Sequence, residues 1–114
     1  MSASTLANLM KLVGTPRDGA LLRFSIGNEL LKDGDAAGAA VHLQSAVEFD
    51  PRYSAAWKLL GKALTDSGRE DEALQAYRRG MVVAGERGDK QAAKEMAVFA
   101  RRLEKNQSPG DQEK

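Results

Sequence analysis

Residues 57–64 read WKLLGKAL, and a related stretch, RFSIGNEL, occupies residues 23–30, which lie 34 residues earlier. The similarity continues beyond these stretches at the same offset. The residues identical in the two copies are Gly27 and Gly61, Leu30 and Leu64, Gly34 and Gly68, and Ala39 and Ala73. Because small residues recur at a fixed spacing, we expect one packing geometry to be used twice.

The composition indicates a single domain without covalent cross-links. A chain of 114 residues is one domain by length, and its 42% hydrophobic content can build a modest core. The absence of cysteine excludes disulfides and thiolate metal sites. A net charge of +1 provides no general attraction to nucleic acid or anionic membranes. No segment approaches the ~18 apolar residues of a membrane span, and residues 1–13 lack a secretory signal pattern, so we expect a cytoplasmic protein.

Apolar residues recur at spacings of three and four along most of the chain, and no segment alternates with period two, so the sequence predicts an all-α fold. The predicted helices are 5–13, 18–32, 35–49, 53–66, 69–84 and 89–105. Gly34 and Gly68 are predicted to end helices, because glycine adopts the left-handed conformation found after many helix ends. The predicted N-caps are Ser4, Asp35, Ser54 and Asp89.

The two copies resemble the tetratricopeptide repeat. The second copy fills the family's characteristic positions with Trp57, Leu60, Gly61, Leu64, Gly68, Ala73, Tyr77, Gly80 and Gly85. The first copy fills them with Arg23, Ile26, Gly27, Leu30, Gly34, Ala39, Leu43, Ala46 and Pro51. The resemblance implies an α-solenoid of antiparallel helix pairs, with about six helices, repeats at 20–53 and 54–87, and a C-terminal capping helix at 89–105. Residues 1–106 would form one domain, and we expect the polar tail, 107–114, to be disordered.

Packing is expected to depend on small residues where paired helices approach. Gly27 and Gly61 lack a Cβ, and Ala39 and Ala73 are predicted to face them. Where the family has tryptophan, the first copy has Arg23, and we expect the N-terminal helix to cover that position. Gly85 replaces the closing proline of the second copy, which weakens the signal that ends the helix.

The place of the sixth helix in the array has two readings. Its position after two helix pairs predicts the first helix of a third unit. Its small residues Ala93, Ala97 and Ala100 are typical of the second helix of a unit. In both readings it covers the open end of the stack, and its solvent-facing side carries Lys90, Lys94, Arg101 and Arg102.

The sequence contains no combination of residues typical of catalysis. His42 is the only histidine, and we expect it at the surface or at the core boundary. Carboxylates cluster at helix ends, where capping explains them, and neither calcium-loop nor zinc spacing is present. We therefore predict a protein that is not an enzyme and has no catalytic residue, metal site or cofactor.

The candidate ligand site follows from the resemblance, which implies that the first helix of each unit lines a concave groove. The predicted groove residues are Leu21, Phe24, Asn28, Leu31, Lys58, Lys62 and Thr65. Lys58 and Lys62 are four residues apart and share a helix face, next to Asn28 and an exposed Phe24. This arrangement suits a peptide that is acidic and has an apolar anchor. The alternative is that both lysines form an ordinary solvated face and that Phe24 packs on the N-terminal helix.

Two hypotheses for function remain open. The first is an adaptor that binds a segment of another protein in the groove, although Phe24 and Leu59 stand where the family's chaperone-tail clamp has Lys and Asn. The alternative is a homodimerisation module, because two repeats are fewer than the roughly three that stable stacks use. Specific nucleic-acid binding is not predicted, since Glu95 and Glu104 offset the basic residues of the sixth helix and stacking aromatics are lacking. A membrane partner is not predicted either.

Overall fold

Six α-helices occupy the residues that the computed structural model describes, 3–107, and these residues contain no strand. The helices are α1 (Ala3–Met10), α2 (Ala20–Lys32), α3 (Ala36–Phe49), α4 (Ser54–Asp66), α5 (Glu70–Glu86) and α6 (Lys90–Gln107). None of them is long and apolar enough to cross a membrane. The predicted all-α class is confirmed, while the predicted tail lies outside the described residues except for Gln107, which ends α6.

The helices form successive pairs. Helix α2 packs along α3, and α4 packs along α5. Helix α4 also packs on α3 and touches α2, and α6 packs on α5 and touches α4 in the same way. Helix α6 therefore takes the place of the first helix in a third unit, which decides between the two positions that the sequence left open. As a result, α2, α4 and α6 border a common face.

The ends of α2 and α4 confirm the predicted glycine stops. Gly34 and Gly68 have φ angles of 85° and 80°, in the left-handed region that residues with a Cβ rarely adopt. At the first stop, the Gly34 amide donates to the Leu31 carbonyl at 3.0 Å, and the Asp35 amide donates to Leu30 at 2.9 Å. This pair of bonds satisfies carbonyls that the helix end would otherwise leave without partners. Both helices thus end at the same place in their units.

Two of the four predicted N-caps are confirmed. The Asp35 carboxylate accepts a hydrogen bond from the Gly38 amide at 2.9 Å, and the Asp89 carboxylate accepts one from Ala92 at 3.1 Å. The prediction for Ser54 is wrong, because α4 begins at Ser54 itself and the residue is buried in the first turn. The prediction for Ser4 is also wrong, because α1 already begins at Ala3.

The helix bounds also differ from prediction elsewhere. Helix α1 ends at Met10 rather than at residue 13, because the Leu12 and Val13 amides bond to carbonyls only three residues back and form turns. Helix α2 begins at Ala20 rather than at residue 18, because the Asp18 side chain bonds to the preceding turn and to Arg23. Helix α5 continues through Gly85 to Glu86. Gly85 has a backbone N–H and open space around it, so nothing forces the helix to end where the first copy has Pro51.

At the interfaces between paired helices, the glycines lie against large side chains and not against small ones. A Cβ on Gly27 would lie 2.5 Å from Leu43, and a Cβ on Gly61 would lie 2.5 Å from the Tyr77 ring. Because each glycine lacks a Cβ, a bulky side chain of the paired helix occupies the space that a Cβ would take. The nearest side chains to these glycines are therefore not the predicted alanines; Ala39 and Ala73 are fully buried in the core.

A third close approach joins three helices. A Cβ on Gly80 of α5 would lie 2.5 Å from the Met96 sulfur of α6 and 2.8 Å from the Trp57 Cβ of α4. Met96 is fully buried, so α6 is held firmly against the second pair. The small residue at this position lets α4 and α6 approach the same turn of α5.

The Arg23 position, where the second copy has tryptophan, contains a polar cluster. The Arg23 guanidinium binds both carboxylate oxygens of Asp18, at 2.9 and 3.0 Å, and lies 3.4 Å from His42 Nδ1. Helix α1 contacts α2, and the polar partners of Arg23 are Asp18, just before α2, and the half-buried His42. Hydrogen bonding to Arg23 is the largest cause that lowers the pKa of Asp18 to about 2.

We expect the stability of the fold to decrease as the pH falls through about 6.5 because of His42. Burial, and then the charge of Arg23, lower the pKa of His42 below its usual 6.5 in the folded chain. The unfolded chain therefore binds the proton more readily, and stability falls until the pH passes the folded pKa. In His42→Gln this part of the pH dependence is lost.

Urea denaturation at several values between about pH 5 and pH 8 measures the effect. The Asp18 contribution does not change over this pH range. Because the pKa of Asp18 is lowered, its contribution is complete above about 3.8 and lost as the pH falls toward about 2, so both proteins share it. Equal slopes for the two proteins above pH 5 would contradict the assignment to His42.

Candidate functional site

A groove of about 550 Å³ lies on the face bordered by α2, α4 and α6. We call it the three-helix groove. Its apolar floor consists of Phe24, Leu59, Tyr77, Phe99 and Leu103. Its polar rim carries the groups Asn28, Lys58, Lys62, Asp66, Glu70 and Arg102. An apolar floor with a few polar groups around it is typical of a ligand site.

Five of the seven predicted groove residues line the three-helix groove: Phe24, Asn28, Lys58, Lys62 and Thr65. Leu21 and Leu31 are not among its lining residues. Leu21 is 69% exposed at the start of α2, and Leu31 packs against the core near the end of that helix. The middle turns of α2 border the groove, so the residues at its two ends fall outside.

The aromatic rings of the floor hold each other in place. Phe24 packs on Tyr53, with ring centroids 5.0 Å apart, and Tyr77 packs on Phe99 at 5.4 Å. Phe24 is half-buried and its ring packs on Tyr53, so the prediction of an exposed ring is wrong. Because these contacts link α2 to the start of α4 and α5 to α6, the floor is largely formed before a ligand binds.

Tyr77 belongs to both the core and the floor. The residue is 3% exposed, and burial raises the pKa of its hydroxyl to about 12. The hydroxyl also hydrogen-bonds to Thr65, whose own Oγ1 donates to the Gly61 carbonyl at 2.8 Å. A protonated, hydrogen-bonded phenol fits a structural role at the floor of the groove.

Both predicted lysines carry carboxylate partners. Lys58 forms an ion pair with Glu95 of α6, and the hydrogen bond from Lys58 is the largest cause that lowers the pKa of Glu95. Lys62 binds Asp66 one turn along α4, at 3.2 Å. The lysines are therefore not the free basic pair that the sequence suggested. Glu95 is 37 residues from Lys58 along the chain, so no local spacing could reveal this pairing.

Arg102 is the groove cation that the sequence prediction missed. Its guanidinium carbon lies 5.8 Å from the centroid of the Phe99 ring, in a cation–π contact. Within residues 5–107, no ion pair includes Arg102. Phe99, Arg102, Leu103 and Asn106 follow the helical spacing that also brings the α4 residues together. Placing the sixth helix as the first of a third unit would have revealed them.

The described residues show no arrangement for metal chemistry. Among them, no group of three or more His, Asp or Glu side chains lies close enough to hold a metal ion. His42 is away from the groove and contacts Arg23. The chemistry that the three-helix groove offers is apolar contact, hydrogen bonding and charge.

Known proteins resemble this chain in sequence and in fold. Residues 30–96 match the model of the tetratricopeptide repeat family. A TPR repeat-containing protein of Pseudomonas aeruginosa is 50% identical over 100 residues, which cover 88% of this chain and 95% of that protein. A solution structure from Bordetella parapertussis is 38% identical with a TM-score of 0.79, covering 98% of this chain and 96% of the other. A tetratricopeptide repeat domain protein from Salinibacter ruber is 30% identical with a TM-score of 0.69, covering 78% and 89%.

Proposed function

Because this chain belongs to the tetratricopeptide repeat family, whose repeats are generally protein–protein interaction modules, we propose that it is an adaptor that binds a segment of another protein in the three-helix groove. The observation that carries the proposal is the groove itself, an apolar floor of about 550 Å³ inside a polar rim. It is lined mainly by the first helices of three successive units, and α5 adds Glu70 and Tyr77. The proposed role is binding and involves no catalytic step.

The chemistry of the groove indicates the kind of segment that fits. Leu59, Tyr77 and Phe99 offer contact to at least one apolar side chain. Arg102 offers a guanidinium, which recognises carboxylates through two parallel hydrogen bonds, and it has no ion-pair partner within residues 5–107. The proposed ligand therefore combines an apolar anchor with an acidic group near α6.

The proposal is tested by blocking the groove. Ala55 is exposed on α4 and lines the groove, so Ala55→Trp fills the space that a ligand needs without removing a core contact. Peptides selected by the wild-type protein from a phage-displayed random library are expected to bind Ala55→Trp at least about tenfold more weakly in fluorescence anisotropy. Charge reversal at Lys58 is a poorer test, because it would place a carboxylate beside Glu95.

The matched control is Ala37→Trp, an equally small and exposed residue in the first turn of α3 and outside the groove lining. It is expected to bind the selected peptides as the wild type does. Thermal melts followed by circular dichroism check that both variants fold. Equal affinity of the two variants would show that the peptides bind elsewhere and would refute the proposed site.

Self-association is a weaker second proposal. The reason for it is the small number of repeats, because two repeats alone could leave apolar core surface uncovered. Helix α6 weighs against that reason, since its Met96, Ala100 and Leu103 are buried and cover the end of the second pair. Analytical ultracentrifugation separates the two proposals, because only self-association makes the sedimentation coefficient rise with protein concentration.

A further inference from the structure

The ion pair between Lys58 and Glu95 joins α4 to α6 at one side of the three-helix groove. Lys58 lines the groove, whereas Glu95 is on α6 and is not a lining residue. We propose that Glu95 is a specificity-determining residue that occupies Lys58 and thereby disfavours ligands that place a carboxylate there. This inference rests on the proposed peptide-binding function. It concerns which peptides bind, not whether the groove binds them.

The three groove cations differ in what an incoming carboxylate must displace. At Arg102 it displaces no carboxylate of residues 5–107, and the guanidinium is already held over Phe99. At Lys62 it meets Asp66 on the same helix, in a pair whose side chains are 59% and 45% exposed. At Lys58 it competes with a carboxylate from another helix. The rim therefore directs a single acidic group toward Arg102.

Two neighbouring side chains hold the Glu95 carboxylate in place, where it competes with a ligand carboxylate for Lys58. One carboxylate oxygen accepts from Lys58, and the other accepts from the Gln91 side chain at 3.2 Å. The two members of the ion pair are 39% and 40% exposed, so water and salt weaken the pair, and ligands can still reach Lys58. Exposed pairs of this kind change equilibrium constants by up to about fivefold.

Glu95→Gln removes the competing charge and keeps the shape of the side chain. Selection from the same random peptide library is run separately on the wild-type protein and on Glu95→Gln. The peptides selected by Glu95→Gln are expected to be richer in Asp and Glu. Synthetic acidic members are expected to bind it about threefold to fivefold more tightly than they bind the wild type. Versions of the same peptides with amides in place of the carboxylates are expected to bind both proteins equally.

Two further variants make the result specific. In Glu95→Gln combined with Lys58→Met, the gain in acidic preference is expected to vanish, because the freed ammonium is gone. Glu104→Gln is the matched control: it removes another α6 carboxylate that pairs across helices, with Arg78 at 2.6 Å, away from the groove lining. It is expected to select the same peptides as the wild type.

The outcomes separate this inference from the proposed function. If the selected peptides depend on an open groove in the Ala55→Trp test, but Glu95→Gln selects no more acidic residues than the wild type, the role of Glu95 is refuted and the groove stands. A gain that persists without Lys58, or that Glu104→Gln reproduces, also refutes it, because the effect would then follow net charge. If no variant selects groove-dependent peptides, both proposals are wrong.

Discussion

Gly61→Leu is expected to lower the free energy of unfolding by about 3 kcal/mol, at the upper end of the usual range for overpacked cores. The Cβ alone would lie 2.5–2.7 Å from three atoms of the Tyr77 ring. The ring is 3% exposed and packs on Phe99, so it cannot move away from Gly61 without losing these packing contacts. Urea denaturation of the variant beside the wild-type protein measures the loss.

Gly85→Leu is the matched control, since it makes the same substitution at another helical glycine. No atom lies within 4 Å of a Cβ at Gly85, and the residue is exposed near the end of α5. Leucine favours helix over glycine, so this variant is expected to be unchanged or more stable by less than about 1 kcal/mol. A similar loss in both variants would mean that the cost comes from helix chemistry and not from the Gly61–Tyr77 contact.

The contact between Gly61 and Tyr77 links the stability of the fold to the shape of the three-helix groove. Tyr77 fills the hole at Gly61 on one side of its ring and forms part of the groove floor on the other. Any side chain at Gly61 that displaces the ring must move it toward α6 or into the groove. Gly61→Leu is therefore expected to affect both the stability of the fold and the shape of the groove. The corresponding contact between Gly27 and Leu43 affects stability alone, because Leu43 does not line the groove.

The architecture could be predicted because its signals are local or periodic. Glycine after a helix end, as at Gly34 and Gly68, satisfies the last carbonyls of its own helix, and this geometry depends on a few neighbouring residues. The recurrence of the pattern after 34 residues also predicts that the helices pack in pairs. The prediction failed at Ser54, because α4 begins one residue earlier than a serine cap would require and the side chain is buried in the first turn.

The site could be predicted only in part, for a physical reason. Residues on α2 and α4 that share a face follow from helical spacing, which placed Asn28, Lys58 and Lys62 at the groove. The partner of Lys58 and the presence of Arg102 depend on how α6 sits on α5. That placement is set by close contacts such as Gly80 with Met96, and helical spacing locates Arg102 only after α6 is assigned as the first helix of a third unit.

Trp57→Ala is expected to lower the free energy of unfolding by about 3 kcal/mol, the lower end for removal of a large aromatic side chain. The ring is half-buried against the core, and its Cβ lies against Gly80, where α4 meets α5. The indole N–H donates to the Pro51 carbonyl at 2.8 Å, so the same side chain also ties the loop before α4 to the helix. Chemical denaturation followed by circular dichroism measures the loss without depending on the fluorescence of Trp57.

Trp57→Phe separates the two contributions of this side chain. It keeps the Cβ against Gly80 and an aromatic ring on the core, and it removes the donor to Pro51, so it is expected to cost about 1 kcal/mol, the usual net value of one hydrogen bond. If Trp57→Ala costs no more than Trp57→Phe, the burial of the ring contributes nothing and the prediction is wrong. Because Trp57 is the only tryptophan, its emission checks the same point independently: a spectrum like that of free indole in water would show that the ring does not pack on the core.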